Sequence, residues 1–311
     1  MNIFIVIPVY RSEKILPTLV ETIEVEMKRQ TDVLSFELVL VNDASPDASW
    51  EVITSLKPFY SFLTGINLRR NYGQHNAIMA GLKYVASRVK AQDVVVMMDD
   101  DMQHSPEYIV QLARAVKFGK DVCYTNYLGR KHKGWKILGS KLTNLIAKIL
   151  INKPEDLYLS SFKAIAGDLC VEISQYNGAY PYIDGLILQA TTRIASIDIQ
   201  HGERLEGESN YNLLKLTSLF LKMATGFSII PLRLVTYLGF ITFLLGLLQS
   251  LWIIIGQFIQ PIAVKGWSSS VIIALILGGI QMLSLGLVGE YVGRMYLRLN
   301  EKPQFTIREI V

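Results

Sequence analysis

Charge is nearly absent from one long stretch of this 311-residue chain. Between Leu234 and Gly293 only Lys265 and Glu290 are charged, although the whole carries 31 Lys+Arg and 27 Asp+Glu. A polar region of some two hundred residues followed by a very apolar one excludes a disordered chain, and it argues against a wholly soluble enzyme. Too few apolar stretches exist for a polytopic transporter. Cysteine is scarce as well. Cys123 and Cys170 are the only two, too few for a disulfide framework and not spaced for zinc. They read as buried small hydrophobes. The amino terminus lacks a basic segment, and Pro8 interrupts its short apolar run. Residues 3–7 therefore read as a buried strand rather than a targeting segment. No GxGxxG and no GxxxxGK[ST] pattern occurs, so dinucleotide binding of the Rossmann kind and P-loop hydrolysis lack support. No repeat or low-complexity segment stands out.

What is present begins with alternation. Residues 3–7, 37–42, 63–68 and 93–98 are short apolar strand candidates. Helical patterns at 12–29, 47–57, 74–89 and 105–117 separate them. This order predicts an α/β fold with a mostly parallel sheet and helices on both faces. Ser105, Pro106 and Glu107 predict a capped start for the last of these helices. In open α/β sheets ligands bind beyond the carboxyl ends of the strands, and there the polar residues collect. They are Tyr10, Arg11, Ser12 and Glu13 after the first strand, Asn42 and Asp43 after the second, Arg69 to Gln74 after the third, and Asp99 to His104 after the fourth.

The triplet Asp99-Asp100-Asp101 carries the sharpest chemistry. Adjacent carboxylates repel one another unless a cation or hydrogen-bond donors compensate them. Oxygen ligands of this kind suit Mg²⁺ or Mn²⁺, above all when the metal also holds substrate phosphates. In an extended segment Asp99, Asp101 and Gln103 project to one side and Asp100 to the other. Alone, the triplet reads as a solvated acidic turn; with three other polar strand ends converging, a site is the better reading. The four histidines, His75, His104, His132 and His201, show no ligand spacing. Asp184 reads equally as a sugar contact or as a helix cap.

In the apolar region, residues 234–259 and about 270–291 predict two membrane spans, because at about 1.5 Å per residue each crosses a hydrocarbon core of ~30 Å. Lys215, Lys222 and Arg233 before them and Arg294, Arg298, Lys302 and Arg308 after them put both termini in the cytoplasm. Residues 135–152 and 211–227 have amphipathic patterns suited to a headgroup surface. The expected layout is a cytoplasmic catalytic domain over 1–210, a juxtamembrane segment at 211–233, a transmembrane hairpin within 234–293 and a cytoplasmic tail at 294–311. The expected location is the inner, cytoplasmic membrane, as a multi-pass protein.

Taken together, Ile7-Pro8-Val9-Tyr10, Val41-Asn42-Asp43-Ala44-Ser45, Asn71-Tyr72-Gly73 and Asp99-Asp100-Asp101-Met102-Gln103 resemble the nucleotide-binding and DxDxQ segments of glycosyltransferase family 2. With the two-helix tail the chain is similar to the polyisoprenyl-phosphate glycosyltransferases, which include dolichol-phosphate mannose synthase. Further matches are Tyr127-Leu128-Gly129-Arg130, Ser160-Ser161-Phe162-Lys163, Tyr182-Ile183-Asp184-Gly185 and the segment from Glu203 to Tyr211. The later ones look closest to the undecaprenyl-phosphate formamido-arabinose and polyprenyl-phosphate glucosyl branch. Asn42, Asp100 and Lys163 depart from the commoner family residues, which bears on sugar and nucleotide identity more than on reaction class.

The resemblance implies a GT-A fold and an inverting transfer of a sugar from a nucleotide sugar, UDP-linked in preference, to undecaprenyl phosphate. It implies Mg²⁺ or Mn²⁺, a bilayer partner, a homotetramer and no nucleic acid. By position it implies Asp101, Arg130 and Arg204 as catalytic residues, and Asp99, Asp101 and Gln103 as metal ligands. Pro8, Tyr10, Glu13, Asp43, Asp99, Asp100, Ser140, Ser209 and Tyr211 would contact substrates. Two other classes compete. A polysaccharide synthase would add a QxxRW motif and more spans, and neither is visible. A non-catalytic nucleotide-sugar scaffold is excluded only by turnover.

Overall fold

The structure is a computed structural model, and it describes residues 1–127, 154, 157–178, 181–199, 230–259, 266–299 and 303–311. The chain divides into two compact units. One comprises Met1–Leu216 with Lys302–Val311, the other Thr217–Glu301.

The first unit is built on an eight-stranded sheet. In chain order its strands are β1 (Asn2–Val9), β2 (Ser35–Asn42), β3 (Leu63–Leu68), β4 (Val94–Met97), β5 (Val122–Tyr127), β6 (Lys163–Ala166), β7 (Ile194–Ile199) and β8 (Ile307–Ile310). Their spatial order is β7-β5-β6-β4-β1-β2-β3-β8. Strands β1 to β4 are nearly continuous apolar runs, as strands covered on both faces must be. Each fully buried Ile or Val in them contributes about 1.5–3 kcal/mol relative to an exposed one. Helices α1 (Leu16–Arg29), α2 (Ser49–Leu56) and α4 (Tyr108–Lys117) bury their apolar residues with Ile3, Ile5, Ile7 and Val9 in one core. Helix α3 (Gln74–Ala86) packs on the other face. Gly81 permits that approach, since a Cβ there would fall 2.4 Å from a methyl of Val6. Helices α5 (Gly167–Ser174) and α6 (Ile183–Ala190) complete the unit's described helices. Cys123 and Cys170 are free and buried, and burial pushes both thiols up to about 12.

The register positions the site. Val9 pairs with Asn42 and Asn42 with Asn67, so β1, β2 and β3 end level. Met97 lies opposite Val6, so the chain beyond β4 runs on past Pro8.

Several expectations are corrected. The sheet is mixed parallel and antiparallel: β6 runs antiparallel between β4 and β5, and β8 antiparallel beside β3. The reason is that β6 and β8 are short returns rather than members of βαβ units. Helix α4 begins at Tyr108 with no side-chain cap; Ser105 serves through its carbonyl, which accepts from Tyr108.

The second unit contains two long helices, α7 (Ile230–Ile259) and α8 (Trp267–Leu299). The expected transmembrane hairpin is corrected: among the described residues, no helix is long and apolar enough to cross a membrane. With the spans go the bilayer as partner, the multi-pass placement in the cytoplasmic membrane and the homotetramer, for which the described residues offer no support. The amphipathic patterns at 135–152 and 211–227 lie outside the described residues.

A buried ion pair joins β6 to α6. Lys163 Nζ meets Asp184 Oδ1, both side chains being at most one tenth exposed, and the Tyr124 hydroxyl donates to the same oxygen at 3.0 Å. The Lys163 ammonium also lies 5.1 Å from the centre of the Tyr124 ring. Asp184 is thus neither an open sugar contact nor a helix cap. Removing one partner of such a pair strands the other's charge, at a cost of about 3–5 kcal/mol. Asp184→Ala is therefore expected to lower the melting temperature by roughly 6–20 °C. The double variant Lys163→Met/Asp184→Leu is expected to recover most of that loss in calorimetry.

Candidate active site

A cavity of about 580 Å³ opens at the carboxyl ends of β1, β2 and β4, where an α/β sheet places its ligands. Pro8, Tyr10, Arg11 and Ser12 line it from the first loop, and Asp43 from the second. Asn71, Gly73 and Gln74 line it from the third, and Asp99, Asp100 and Asp101 from the fourth. Four carboxylates therefore face one volume, and among its described lining residues Arg11 is the cation.

Neutral donors hold these carboxylates apart. Asp43 accepts the Tyr72 N–H at 2.7 Å on one oxygen and the Gly73 N–H at 2.8 Å on the other. Its burial raises its pKa, and the two amides oppose that rise. Asp100 accepts the Tyr10 N–H at 3.2 Å and the Ser12 hydroxyl. Burial pushes its pKa from the ordinary 3.8 to about 6, against the pull of those donors and with a smaller push from Asp99. Asp101 accepts the Gln103 N–H at 3.1 Å. Asp99 accepts from Gln74 and from Ser161, each at 2.6 Å.

The loops themselves are strained. Arg11, Ala44 and Met102 have φ of 60°, 48° and 58°, one in each of the loops after β1, β2 and β4. A left-handed non-glycine residue costs of order 1–3 kcal/mol and persists only where its surroundings fix it. The Arg11 turn is fixed here: Arg11 N–H donates to Ser45 Oγ at 2.7 Å, and Ser12 N–H to Ser49 Oγ at 3.0 Å. After β3 the left-handed position falls to Gly73, at φ 87°.

The cavity gathers Pro8, Tyr10, Asp43, Asp99, Asp100 and Asp101 from the expected set. Two residues stand apart from its lining. Glu13 turns its carboxylate to the Ala48 N–H at 2.8 Å, at the start of α2. Gln103 is held through its backbone. The expected alternation along an extended segment is not followed: β4 ends at Met97, and beyond it Asp99, Asp100 and Asp101 all line the cavity. Arg130, Ser140, Arg204, Ser209 and Tyr211 lie outside the described residues. Arg11, Ser12, Gln74 and Ser161 carry no role in the sequence reading; the first three stand in the polar strand ends, and Ser161 in a motif far along the chain.

The donor chemistry suits a hard divalent cation. Asp99 and Asp101 offer carboxylate oxygens at the cavity wall, and Mg²⁺-type ions use one or two carboxylates plus substrate phosphates. Among the described residues no group of three or more His, Cys, Asp or Glu is placed to hold a metal ion.

Comparison with known proteins adds the following. Residues 4–165 match the model of glycosyl transferase family 2, and residues 230–295 match the GtrB C-terminal hairpin. An undecaprenyl-phosphate 4-deoxy-4-formamido-L-arabinose transferase of Pseudomonas savastanoi is 32% identical, over 99% of this chain and 90% of that protein. A prophage bactoprenol glucosyl transferase homolog of Escherichia coli is 27% identical, over 100% of this chain and 99% of that protein. Glucosyl-3-phosphoglycerate synthase of Mycobacterium tuberculosis, solved with Mn²⁺, uridine diphosphate and phosphoglyceric acid, is 16% identical with a TM-score of 0.52. That match covers 72% of this chain and 76% of the other, a likeness of fold.

The shifted carboxyl of Asp100 has a thermodynamic signature. Folded, it holds a proton up to about pH 6; unfolded, it releases the proton near the ordinary carboxylate value. Between these values the folded state binds more protons, so this group's contribution to stability falls as pH rises through the interval. The melting-temperature difference, Asp100→Asn minus wild type, is expected to be largest near pH 7 and to shrink towards pH 4. A difference constant across that range would contradict the buried carboxyl.

Proposed function

The chain belongs to glycosyl transferase family 2, closely related to its undecaprenyl-phosphate sugar transferases, and on that premise we propose that this glycosyltransferase moves a sugar from a UDP-sugar to a polyprenyl phosphate with inversion. The observation that carries the reading is the meeting of Asp99 and Asp101 with Pro8, Tyr10 and Asp43 in one cavity at the sheet's carboxyl edge. The names of the relatives support the acceptor class.

In this reading Pro8, Tyr10 and Asp43 receive the nucleotide's base and ribose. Asp43 does so with both oxygens already fixing the backbone of Tyr72 and Gly73, so that its position is set before the nucleotide arrives. Asp99 and Asp101 hold the divalent cation, and Asp100 ties their loop to the first loop through Tyr10 and Ser12. When bound, Mg²⁺ or Mn²⁺ supplies positive charge to the departing nucleoside diphosphate. Arg11 adds a cation at the same wall. Arg130 and Arg204 are proposed for the phosphates, since guanidinium binds them bidentately, with Ser140, Ser209 and Tyr211 completing the substrate contacts. The acceptor phosphate is an anion at neutral pH and attacks the anomeric carbon without a general base. The bond from that carbon to the nucleotide's phosphate oxygen breaks as the new one forms. Catalysis then consists of positioning and charge stabilisation.

The test is transfer of label from a panel of UDP-sugars to undecaprenyl phosphate, read in the organic phase, with Mn²⁺ or with EDTA. One donor is expected to give labelled lipid, abolished by EDTA. Asp101→Asn is expected to lower kcat/KM at least about 100-fold with an unchanged melting temperature. Wild-type rates in that variant would sink the cation assignment. A folded protein that binds UDP yet transfers from no donor would favour a nucleotide-sugar scaffold.

A further inference from the structure

Asp99 is held at three points. Its N–H donates to His104 Nδ1 at 3.1 Å, Gln74 Nε2 donates to Oδ1 at 2.6 Å, and Ser161 Oγ donates to Oδ2 at 2.6 Å. The two side-chain donors differ in placement. Gln74 belongs to the cavity wall and its bond is exposed. Ser161 precedes β6, lies 62 residues from Asp99 in sequence, and is not among the cavity's lining residues.

The segment around Ser161 is itself fixed on both sides. Ser160 is buried, accepts the Thr125 hydroxyl at 2.7 Å, and accepts the Phe162 N–H at 3.1 Å. Phe162 is fully buried, and its ring stacks on His104 with 5.0 Å between centroids. Lys163 is locked to Asp184. Phe162 and His104 thereby join the two ends of the support: one follows Ser161, the other takes the Asp99 N–H. A hydroxyl on so constrained a backbone has little freedom to follow a wandering carboxylate, so the carboxylate follows it.

We propose that Ser161 is a positioning residue, which orients the Asp99 carboxylate from behind so that its remaining lone pairs face the cavity and receive a divalent cation. This rests on the proposed assignment of Asp99 as a cation ligand. Hydrogen bonds from a hydroxyl to a carboxylate are charge-assisted and short. Outer partners of metal ligands typically set 10–100-fold in metal affinity. Gln74 fixes the other oxygen from the front. Ser161 is the more decisive of the two because it restrains the side chain from a buried, independently anchored segment.

The experiment measures Mn²⁺ binding to the purified full chain with saturating UDP, from the loss of the free-ion electron paramagnetic resonance signal. Ser161→Ala is expected to raise the Mn²⁺ Kd about tenfold. Ser161→Thr, which keeps the hydroxyl, is expected to restore it to within about twofold. Ser161→Cys keeps the volume with a weaker donor and is expected to fall between them, serving in place of the alanine variant should that one fold poorly. The Mn²⁺ concentration for half-maximal transfer should move in parallel, with the donor KM at saturating Mn²⁺ unchanged. Wild-type Mn²⁺ affinity in Ser161→Ala and Ser161→Cys, alongside weakened binding in Asp99→Asn, would overturn the role of Ser161 and leave Asp99 as ligand. Undiminished binding in Asp99→Asn, or none in the wild type, would overturn the ligand assignment and this inference together.

Discussion

Like-charge crowding at the carboxyl edge of the sheet is the constraint to which the other features of the first unit answer. Asp43, Asp99, Asp100 and Asp101 face one cavity, and each must be compensated for the fold to survive without a bound cation. The compensation is almost entirely neutral, and in most cases it comes from a different region of the chain. Asp43 reaches from the second loop to the third, and Asp100 from the fourth to the first. Asp99 takes donors from the third loop and from the segment before β6. Each carboxylate that repels its neighbours in this way also fastens two connections together. A cation or guanidinium in the same place would neutralise the cavity; hydrogen-bond donors stabilise the charges and keep the field negative.

The left-handed residues follow from the same constraint. Arg11, Ala44 and Met102 turn their loops sharply enough to bring amides and carboxylates into range, and the cross-loop bonds offset the backbone cost. The buried Lys163–Asp184 pair has a comparable role further from the cavity. It holds the start of β6, and so the Ser160–Phe162 segment, against α6 and β5.

Much of this is legible in the sequence, for identifiable reasons. Strands β1 to β4 are continuous apolar runs, and their carboxyl ends carry the polar clusters, so both sheet and site edge can be read directly. The returns cannot. Lys163-Ala164-Ile165-Ala166 opens with a lysine that reads as exposed, and its burial depends on Asp184, which is distant in sequence. Ile307-Arg308-Glu309-Ile310 has the polarity of a tail, and pairs with β3 because that edge is unfilled. Glu13 resembles a ligand contact because position alone does not disclose that the Ala48 amide lies within its reach. Side-chain direction near Asp100 is misread because alternation holds only while the backbone stays extended. Lack of charge over residues 234–259 indicates a long helix, which is present, and a membrane crossing, which the described residues do not bear out.

Strand β8 has a consequence for how the molecule is made. Asn67 of β3 donates to Glu309 of β8 across 242 residues of sequence. At about 5–20 residues per second on a ribosome, β3 waits roughly 10–50 s for its neighbour. Throughout that interval the nascent sheet has an open rim, where unpaired amides and carbonyls can recruit a strand from another chain. Polysomes, which hold many copies of the same half-made sheet side by side, are where such mispairing would be most frequent. Slow stretches of translation are therefore safer before Leu63 than after Leu68.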